Sequence, residues 1–310
     1  RIYGSTLFDE VYRYTLAAEK IAEEENFDII HCHDWMTFGA GISAKKKKNK
    51  PLVLHVHATE LDRTGGHKVN QYVYDLERNG MHKADRVITV SNFTKDKVVT
   101  HYGIPSEKIK VVHNAVDFSQ HYHDEDFKIK NTDKVVLFLG RITLQKGPDY
   151  FVYAAKKVLE HEKNVKFVIA GSGDMEPFVI EKAAELGIAD KVLFAGFLTQ
   201  DDVDRAYKMA DVYVMPSVSE PFGITALEAM KNKAPVIVSK QSGVSEVIKH
   251  CLKVDFWDVN ELSNKIISLL RYNRLHETLK ENAYFEVKKL SWDVPAQKCI
   301  EIYNELISKG

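Results

Sequence analysis

Short apolar runs alternate with amphipathic stretches along the whole chain, which is the pattern of repeated strand and helix units on a largely parallel sheet. In the first half, β-branched runs predict strands at 28–32, 51–56, 86–90 and 110–113. Apolar positions at helical spacing lie between these runs, near 8–24, 68–81 and 93–101. The first half therefore predicts one α/β lobe.

The second half restarts the same alternation after a polar stretch. Its predicted strands are 134–140, 165–171, 191–194, 211–215 and 234–239. A helix begins at about Pro148, and the tail from Val259 onward is helical. Because these strands are apolar almost throughout, both faces of the sheet are expected to be buried. The predicted fold class is α/β with two doubly wound, Rossmann-like lobes, whose ligands bind at the carboxyl ends of the strands.

Length supports two lobes, since 310 residues exceed the comfortable size of one hydrophobic core. The predicted divisions are a first lobe at 1–117, an interdomain connection at 118–133, a second lobe at 134–290 and a C-terminal helix at 291–310 that crosses back to the first lobe. The first lobe opens with a helix where a doubly wound lobe normally opens with a strand. We therefore expect it to be shortened at its N-terminus.

Charge and cysteine content narrow the classes of function. The 43 basic and 44 acidic residues leave no basic excess, which argues against a nucleic-acid partner. The three cysteines form no CxxC pair, so neither a disulfide framework nor a thiolate zinc site is expected. No apolar run long enough to span a bilayer and no signal peptide is recognisable, and a cytoplasmic protein is expected. The basic run at 45–48 is interpreted as a solvated face, so membrane contact is not expected.

The strongest chemical signal follows the strand at 211–215. Pro221 ends an extended segment, Gly223 lets the backbone approach a ligand, and a helix begins directly afterwards. The free N–H groups and the dipole at such a helix start form an anion site. Glu220 and Glu228, before and inside this helix, are placed to meet hydroxyl groups. The alternative is that both are ordinary loop and surface carboxylates.

A second signal lies directly after the strand at 134–140. Arg141 offers a fork of donors to phosphate oxygens and Lys146 a mobile point charge, so the pair suits a diphosphate. Gly147 opens the next helix. The alternative is that both cations are solvated loop residues.

Together, Arg141 and Lys146 followed by Glu220-Pro-Phe-Gly and Glu228 resemble the retaining two-lobed (GT-B) glycosyltransferases of family 4, which have glycogen and starch synthases as relatives. Segments of the first half look similar too, at 33–35, 55–63, 90–92 and 114–117. The resemblance runs over nearly the whole chain.

The resemblance implies roles for these residues. Arg141 and Lys146 would hold the diphosphate of a nucleoside diphosphate sugar, Glu220 would contact the sugar hydroxyls, and Glu228 would bind the ribose. His57 would approach the transferred sugar from the first lobe. Backbone close to the sugar and phosphates is implied at Phe222, Gly223, Ile224 and Thr225, and backbone beside the base at Gly196, Phe197 and Leu198. Small residues at another strand end, Gly171 and Gly173, permit close approach of the same donor.

The implied chemistry is transfer of a sugar, glucose by analogy, to a saccharide or other hydroxyl acceptor. Departure of the nucleoside diphosphate builds negative charge that the cations and helix N–H groups stabilise, so neither a metal nor a further cofactor is expected. Family members are thought to retain configuration by front-face attack, with the leaving phosphate accepting the proton of the acceptor.

Three alternatives stay open or are set aside. The Gly-rich loop that opens family members is not recognised, which allows a shortened, non-catalytic relative that only binds nucleotide sugar. The pairs His31-x-His33 and His55-x-His57 have a spacing that metal-dependent hydrolases use, although further ligands on later strands are not evident. A dehydrogenase is not expected, because Glu176 replaces the third glycine of a dinucleotide fingerprint.

Overall fold

A computed structural model describes residue 4, residues 6–118 and residues 133–308. These residues form two parallel sheets flanked by helices, which confirms the predicted α/β class. The contacts between Cα atoms divide the described residues into two units. Unit 1 runs to Asn114 and includes the residues from Asp293 onward, and unit 2 covers Ala115–Trp292. Apart from its two end residues, the predicted connection at 118–133 lies outside the described residues.

Unit 1 contains a four-stranded parallel sheet in the order β1-β2-β3-β4. Its strands are β1 Ile30–His33, β2 Leu52–Val56, β3 Arg86–Thr89 and β4 Ile109–Val111. Its helices are α1 Leu7–Glu24, α2 Trp35–Lys48, α3 Glu60–Arg63, α4 Gln71–Lys83, α5 Asn92–Tyr102 and α12 Asp293–Ile307. All five residues of β2 are buried, as expected for a central strand of a parallel sheet covered on both faces.

Helix α12 completes the core of unit 1 from the far end of the chain. Its Ile302 and Leu306 pack with Val53, Ile88 and Val112 in one buried cluster. The C-terminal helix thus belongs to the same hydrophobic core as strands from the first half of the chain.

The lysine run lies in the last turn of α2, where basic side chains complement the negative end of the helix dipole. Lys45 Nζ lies 2.6 Å from an oxygen of Asp85, and Lys47 Nζ lies 3.0 Å from an oxygen of Glu19. Two of the four lysines thus have acidic partners within unit 1. None of the helices in the described part of the chain is long and apolar enough to cross a bilayer.

Unit 2 contains a six-stranded parallel sheet in the order β10-β9-β8-β5-β6-β7. Its strands are β5 Lys134–Leu139, β6 Val165–Ala170, β7 Val192–Gly196, β8 Val212–Met215, β9 Val236–Ser239 and β10 Leu252–Val254. Its helices are α6 Pro148–His161, α7 Glu176–Glu185, α8 Gln200–Met209, α9 Ile224–Lys231, α10 Val259–Arg271 and α11 Asn273–Val287. This is the doubly wound strand order. From β5 the chain adds β6 and β7 on one side of the sheet and then β8, β9 and β10 on the other, so the switch point lies between β5 and β8.

The core of unit 2 explains why these strands form. Val136 and Phe138 of β5 and Phe167 and Ile169 of β6 are buried against α6, whose Phe151 is fully buried. Alternate residues of each strand thus cover one face of the sheet. Strands β5 and β8 are neighbours in this buried sheet, and the loops that follow them lie at its switch point.

Candidate donor site

The predicted anion-binding groups lie in two loops at the switch point of unit 2. Arg141 and Lys146 follow β5, and Glu220 lies between β8 and α9. Strands β5 and β8 are hydrogen-bonded neighbours, with Val136 opposite Val212. Because both strands are parallel, their carboxyl ends and the loops after them share one edge of the sheet, where doubly wound folds bind ligands.

The loop after β5 turns sharply at Gly147. This residue has a φ of +64°, and a Cβ placed on it would lie 2.3 Å from the carbonyl oxygen of Pro216. Only glycine fits, because both the left-handed backbone and the contact with the loop after β8 exclude a side chain. The preceding turn, Leu144–Lys146, and the start of α6 at Pro148 are therefore fixed against the second loop.

Gln145 joins the two loops and was not identified from the sequence. Its carbonyl accepts a hydrogen bond from the Val218 N–H at 2.9 Å, and its side-chain amide donates to the Ser219 carbonyl at 3.1 Å. Its amide oxygen accepts from the Arg141 guanidinium at 3.1 Å. Gln145 is only 3% exposed. It therefore links Arg141, which is predicted to bind the diphosphate, to the loop that carries Glu220.

Lys146 and Glu220 contact each other directly. The Lys146 ammonium lies 2.5 Å from a carboxylate oxygen of Glu220, which also accepts from the Ser217 hydroxyl at 3.2 Å. The backbone of Glu220 is fixed as well, since its N–H donates to the Gln241 carbonyl and its carbonyl accepts from the Gly243 N–H, both at 3.0 Å. Lys146 is therefore half-buried and paired, and two of its three N–H donors are left for other acceptors.

Arg141 is exposed beside this pair. Within the described residues it has the hydrogen bond to Gln145 and no ion pair. Its positive charge is therefore not neutralised by a carboxylate within the described residues.

The start of α9 supplies backbone donors at the same edge. Gly223 has a φ of +108°, and a Cβ there would lie 2.9 Å from the end of the Met215 side chain. The Phe222 carbonyl accepts from the Val244 N–H at 2.7 Å, which fixes the backbone before the helix. The first N–H groups of any helix lack an intrahelical acceptor, so those of Ile224 and Thr225 face the region before the helix.

Glu228 lies one turn further along α9 and is half-buried. The buried Tyr207 of α8 donates its hydroxyl to one carboxylate oxygen of Glu228 at 3.1 Å. Burial raises the pKa of Glu228, and the bond from Tyr207 opposes the increase. Tyr207 therefore orients Glu228, and no sequence pattern pointed to it.

The glycines after β6 are required by backbone packing. A Cβ on Gly171 would lie 1.9 Å from the Gly140 carbonyl oxygen, and one on Gly173 would lie 2.2 Å from the Ile142 carbonyl oxygen. At the next strand end, Gly196 has a φ of +67° and the side chain of Phe197 is 83% exposed, while Leu198 is half-buried. Contact of these residues with a donor stays a prediction.

His57 lies in unit 1 at the end of β2. Its backbone N–H donates to a carboxylate oxygen of Asp34 at 2.7 Å, and its ring meets that of His33, Nε2 to Nδ1, at 2.9 Å. Burial lowers the pKa of His57, and it lowers the pKa of His31 to about 4 and of His55 to about 2. These rings are therefore neutral near pH 7. Contact of His57 with the transferred sugar stays a prediction.

Two family models match the chain. One, described as glycosyl transferases group 1, matches residues 120–285, and the other, described as glycosyltransferase family 4, matches residues 3–120. An uncharacterized glycosyltransferase of Methanocaldococcus jannaschii is 36% identical over 296 residues, which are 90% of this chain and 75% of the relative. A D-inositol 3-phosphate glycosyltransferase of Mycobacteroides abscessus is 30% identical over 245 residues, 74% of this chain and 54% of the relative.

Solved structures share the fold. Sucrose-phosphate synthase of Thermosynechococcus elongatus superposes with a TM-score of 0.85 at 23% identity, covering 98% of this chain and 80% of that one. Anabaena HepE, in complex with UDP and glucose, superposes with a TM-score of 0.81 at 20% identity, covering 94% and 81%. The match extends over both sheets.

Proposed function

The chain belongs to the group 1 glycosyltransferases and has the GT-B fold, and from this premise we propose that it transfers glucose from a nucleoside diphosphate sugar to a hydroxyl acceptor with retention of configuration. One observation carries the proposal. Arg141, Lys146 and the start of α9 meet at the switch point of unit 2, where Gln145 ties the loop after β5 to the loop that carries Glu220.

The charges at this edge suit a diphosphate. Arg141 is exposed and not neutralised, Lys146 keeps two donors beside its bond to Glu220, and the N–H groups at the start of α9 face the same edge. Charge-assisted bonds to phosphate are each worth about 1.5–3 kcal/mol when one partner is ionised. We propose UDP or ADP as the nucleotide, and the complexes of Anabaena HepE with UDP and with UDP-glucose make UDP-glucose the first donor to test.

The transfer step then uses charge and position. The bond between the anomeric carbon and the diphosphate oxygen breaks while the acceptor oxygen bonds to the same face of that carbon. The leaving phosphate oxygen takes the proton of the acceptor hydroxyl. Arg141, Lys146 and the helix N–H groups stabilise the negative charge that grows on the leaving group, which lowers the barrier because that charge is larger in the transition state than in the bound donor.

The proposed sugar and ribose contacts involve two carboxylates of unit 2. We propose that the Glu220 carboxylate, which is bonded to Lys146 and Ser217, accepts hydrogen bonds from sugar hydroxyls. The Glu228 carboxylate accepts a hydrogen bond from Tyr207 on one oxygen, and we propose that its other oxygen accepts one from a ribose hydroxyl. Because two cations and a helix start already supply positive charge, we propose that the diphosphate needs no divalent cation.

Calorimetric titration with UDP, ADP and GDP, followed by an assay of UDP-glucose consumption with saccharide acceptors and with EDTA present, tests this proposal. We expect binding of at least one nucleotide and turnover that EDTA does not abolish. Binding without turnover would select the non-catalytic alternative. Absence of both binding and turnover would remove the argument for a donor site. The hydrolase alternative gains no support from the family to which the chain belongs.

A further inference from the structure

Three histidines on one face of the unit 1 sheet lie together at the ends of β1 and β2. His31 and His33 occupy alternate positions of β1 and therefore point to the same face. His55 of β2 is the register partner of His33. One ring nitrogen from each of the three lies within 4.8 Å of the others. The donor chemistry of unit 2 does not use this cluster.

Some ring nitrogens of these histidines have no hydrogen-bond partner among the described residues. His31 Nδ1 is bonded to the Tyr303 hydroxyl of α12 at 2.5 Å, and His33 Nδ1 to His57 Nε2 at 2.9 Å. The other nitrogen of His31 is buried and has no hydrogen-bond partner among the described residues, and the same holds for both nitrogens of His55, which is only 7% exposed. Buried polar atoms without partners are rare, because leaving such an atom without a hydrogen bond destabilises the folded protein. These unpartnered nitrogens therefore point to a ligand.

The chemistry of the cluster matches one class of ligand. Neutral imidazole is a good ligand for Zn²⁺ and Co²⁺, and three imidazoles with one open position form a common zinc site. Ligating histidines normally have their second nitrogen hydrogen-bonded, which fixes the ring. Tyr303 and His57 already do this for His31 and His33. Since His33 is exposed, it leaves a route for an ion to enter and room for a water on it.

The geometry requires a small adjustment. The His31 and His33 rings are stacked, with centroids 4.5 Å apart and planes 18° from parallel, and the His31 and His55 rings are stacked with centroids 5.4 Å apart. A tetrahedral Zn²⁺ with Zn–N bonds of about 2.0–2.1 Å brings its nitrogens to about 3.3 Å from one another. The ring nitrogens therefore approach one another when an ion binds. We propose that His31, His33 and His55 form a binding site for a divalent transition metal ion of the Zn²⁺ and Co²⁺ class.

The test uses the purified protein after treatment with a chelator and dialysis. Co²⁺ is titrated and followed by its visible d–d absorption, and Zn²⁺ is then added in competition and counted by elemental analysis. We expect one ion per chain. His33→Ala removes a ligand from an exposed position and should weaken binding by more than the roughly 10–100-fold that loss of an outer partner costs. Tyr303→Phe removes only such a partner and should weaken binding by roughly 10–100-fold.

His67→Ala is the matched control, because His67 is exposed in the same unit and outside the cluster. It should bind Co²⁺ as the unaltered protein does, and circular dichroism should show all three variants folded. Binding of much less than one ion, equal affinity in His33→Ala, equal loss in His67→Ala, or an intense thiolate charge-transfer band would each overturn the proposal. Nucleotide binding is not a readout here, so this test and that of the donor site succeed or fail separately.

Discussion

Replacing Gln145 by methionine tests whether this buried side chain holds Arg141 ready for the donor. The substitution keeps the volume of the side chain but removes two hydrogen bonds, one to the Ser219 carbonyl and one from the Arg141 guanidinium, both at 3.1 Å. The first bond is buried and contributes about 0.5–1.5 kcal/mol to the free energy of unfolding. The second involves the exposed Arg141, whose charge is screened by solvent, so its contribution to stability is smaller than that of a buried charged bond. We expect the free energy of unfolding to fall by about 1–2 kcal/mol.

The effect on nucleotide binding has a different origin. Without Gln145, Arg141 must be ordered when the diphosphate binds, and ordering one such side chain costs about 0.5–1.5 kcal/mol. The dissociation constant for UDP should therefore rise about 2- to 10-fold. Urea unfolding measures the stability, and calorimetric titration of folded protein with UDP measures the affinity.

Gln241→Met is the matched control. Gln241 also lies in unit 2, and its side chain is bonded to Ser239 and Asp255 but not to Arg141. This variant should lose stability and keep its affinity for UDP. If Gln145→Met binds UDP as tightly as the unaltered protein, or if both variants lose affinity equally, Gln145 does not position Arg141.

Three further predictions follow from single residues. Gly147→Ala should lower the free energy of unfolding by more than Gly187→Ala does, as measured by urea unfolding. Both glycines have a positive φ, which costs an alanine about 1–2 kcal/mol, but only at position 147 would the new Cβ also lie 2.3 Å from the Pro216 carbonyl oxygen. Equal losses in the two variants would contradict this. Glu228→Ala should bind UDP and dUDP with nearly equal affinity in calorimetry, whereas the unaltered protein should prefer UDP, and a preference that survives the substitution would exclude the ribose contact. Burial raises the pKa of Glu77 to about 7, above its value in the unfolded chain. The folded state therefore binds the proton more tightly than the unfolded state does, and the free energy of unfolding should fall as pH rises from about 5 to 7. Glu77→Gln should flatten that part of the pH profile of thermal unfolding, and an unchanged slope would assign it to other groups.

Much of the fold could be predicted because buried parallel strands leave continuous apolar runs. The run at 134–140 became β5 Lys134–Leu139, and the run at 51–56 became β2 Leu52–Val56. Helix α2 Trp35–Lys48 was not among the helical stretches that were given bounds, since two glycines and four consecutive lysines leave it a weak apolar periodicity. Strand β10 Leu252–Val254 was missed because Lys253 and Asp255 interrupt its apolar run.

The site was predictable only in part. Arg141 and Glu220 could be proposed from the types of residue that follow two strands. The bond from Gln145 to Ser219 spans 74 positions and the bond from Tyr207 to Glu228 spans 21, so neither is visible in a local pattern. The pairing of His33 with His55 depends in the same way on the register of two strands. Such contacts are properties of the packed sheet.

The central claim is that Arg141 and its neighbours at the switch point bind the diphosphate of the donor. Calorimetric titration of Arg141→Ala with UDP tests it most directly, with Arg274→Ala, an exposed arginine of α11 in the same unit, as the control. Loss of one charge-assisted contact of about 1.5–3 kcal/mol predicts an affinity about 10- to 150-fold lower for Arg141→Ala and an unchanged affinity for Arg274→Ala. Equal affinity of Arg141→Ala and the unaltered protein would contradict the account.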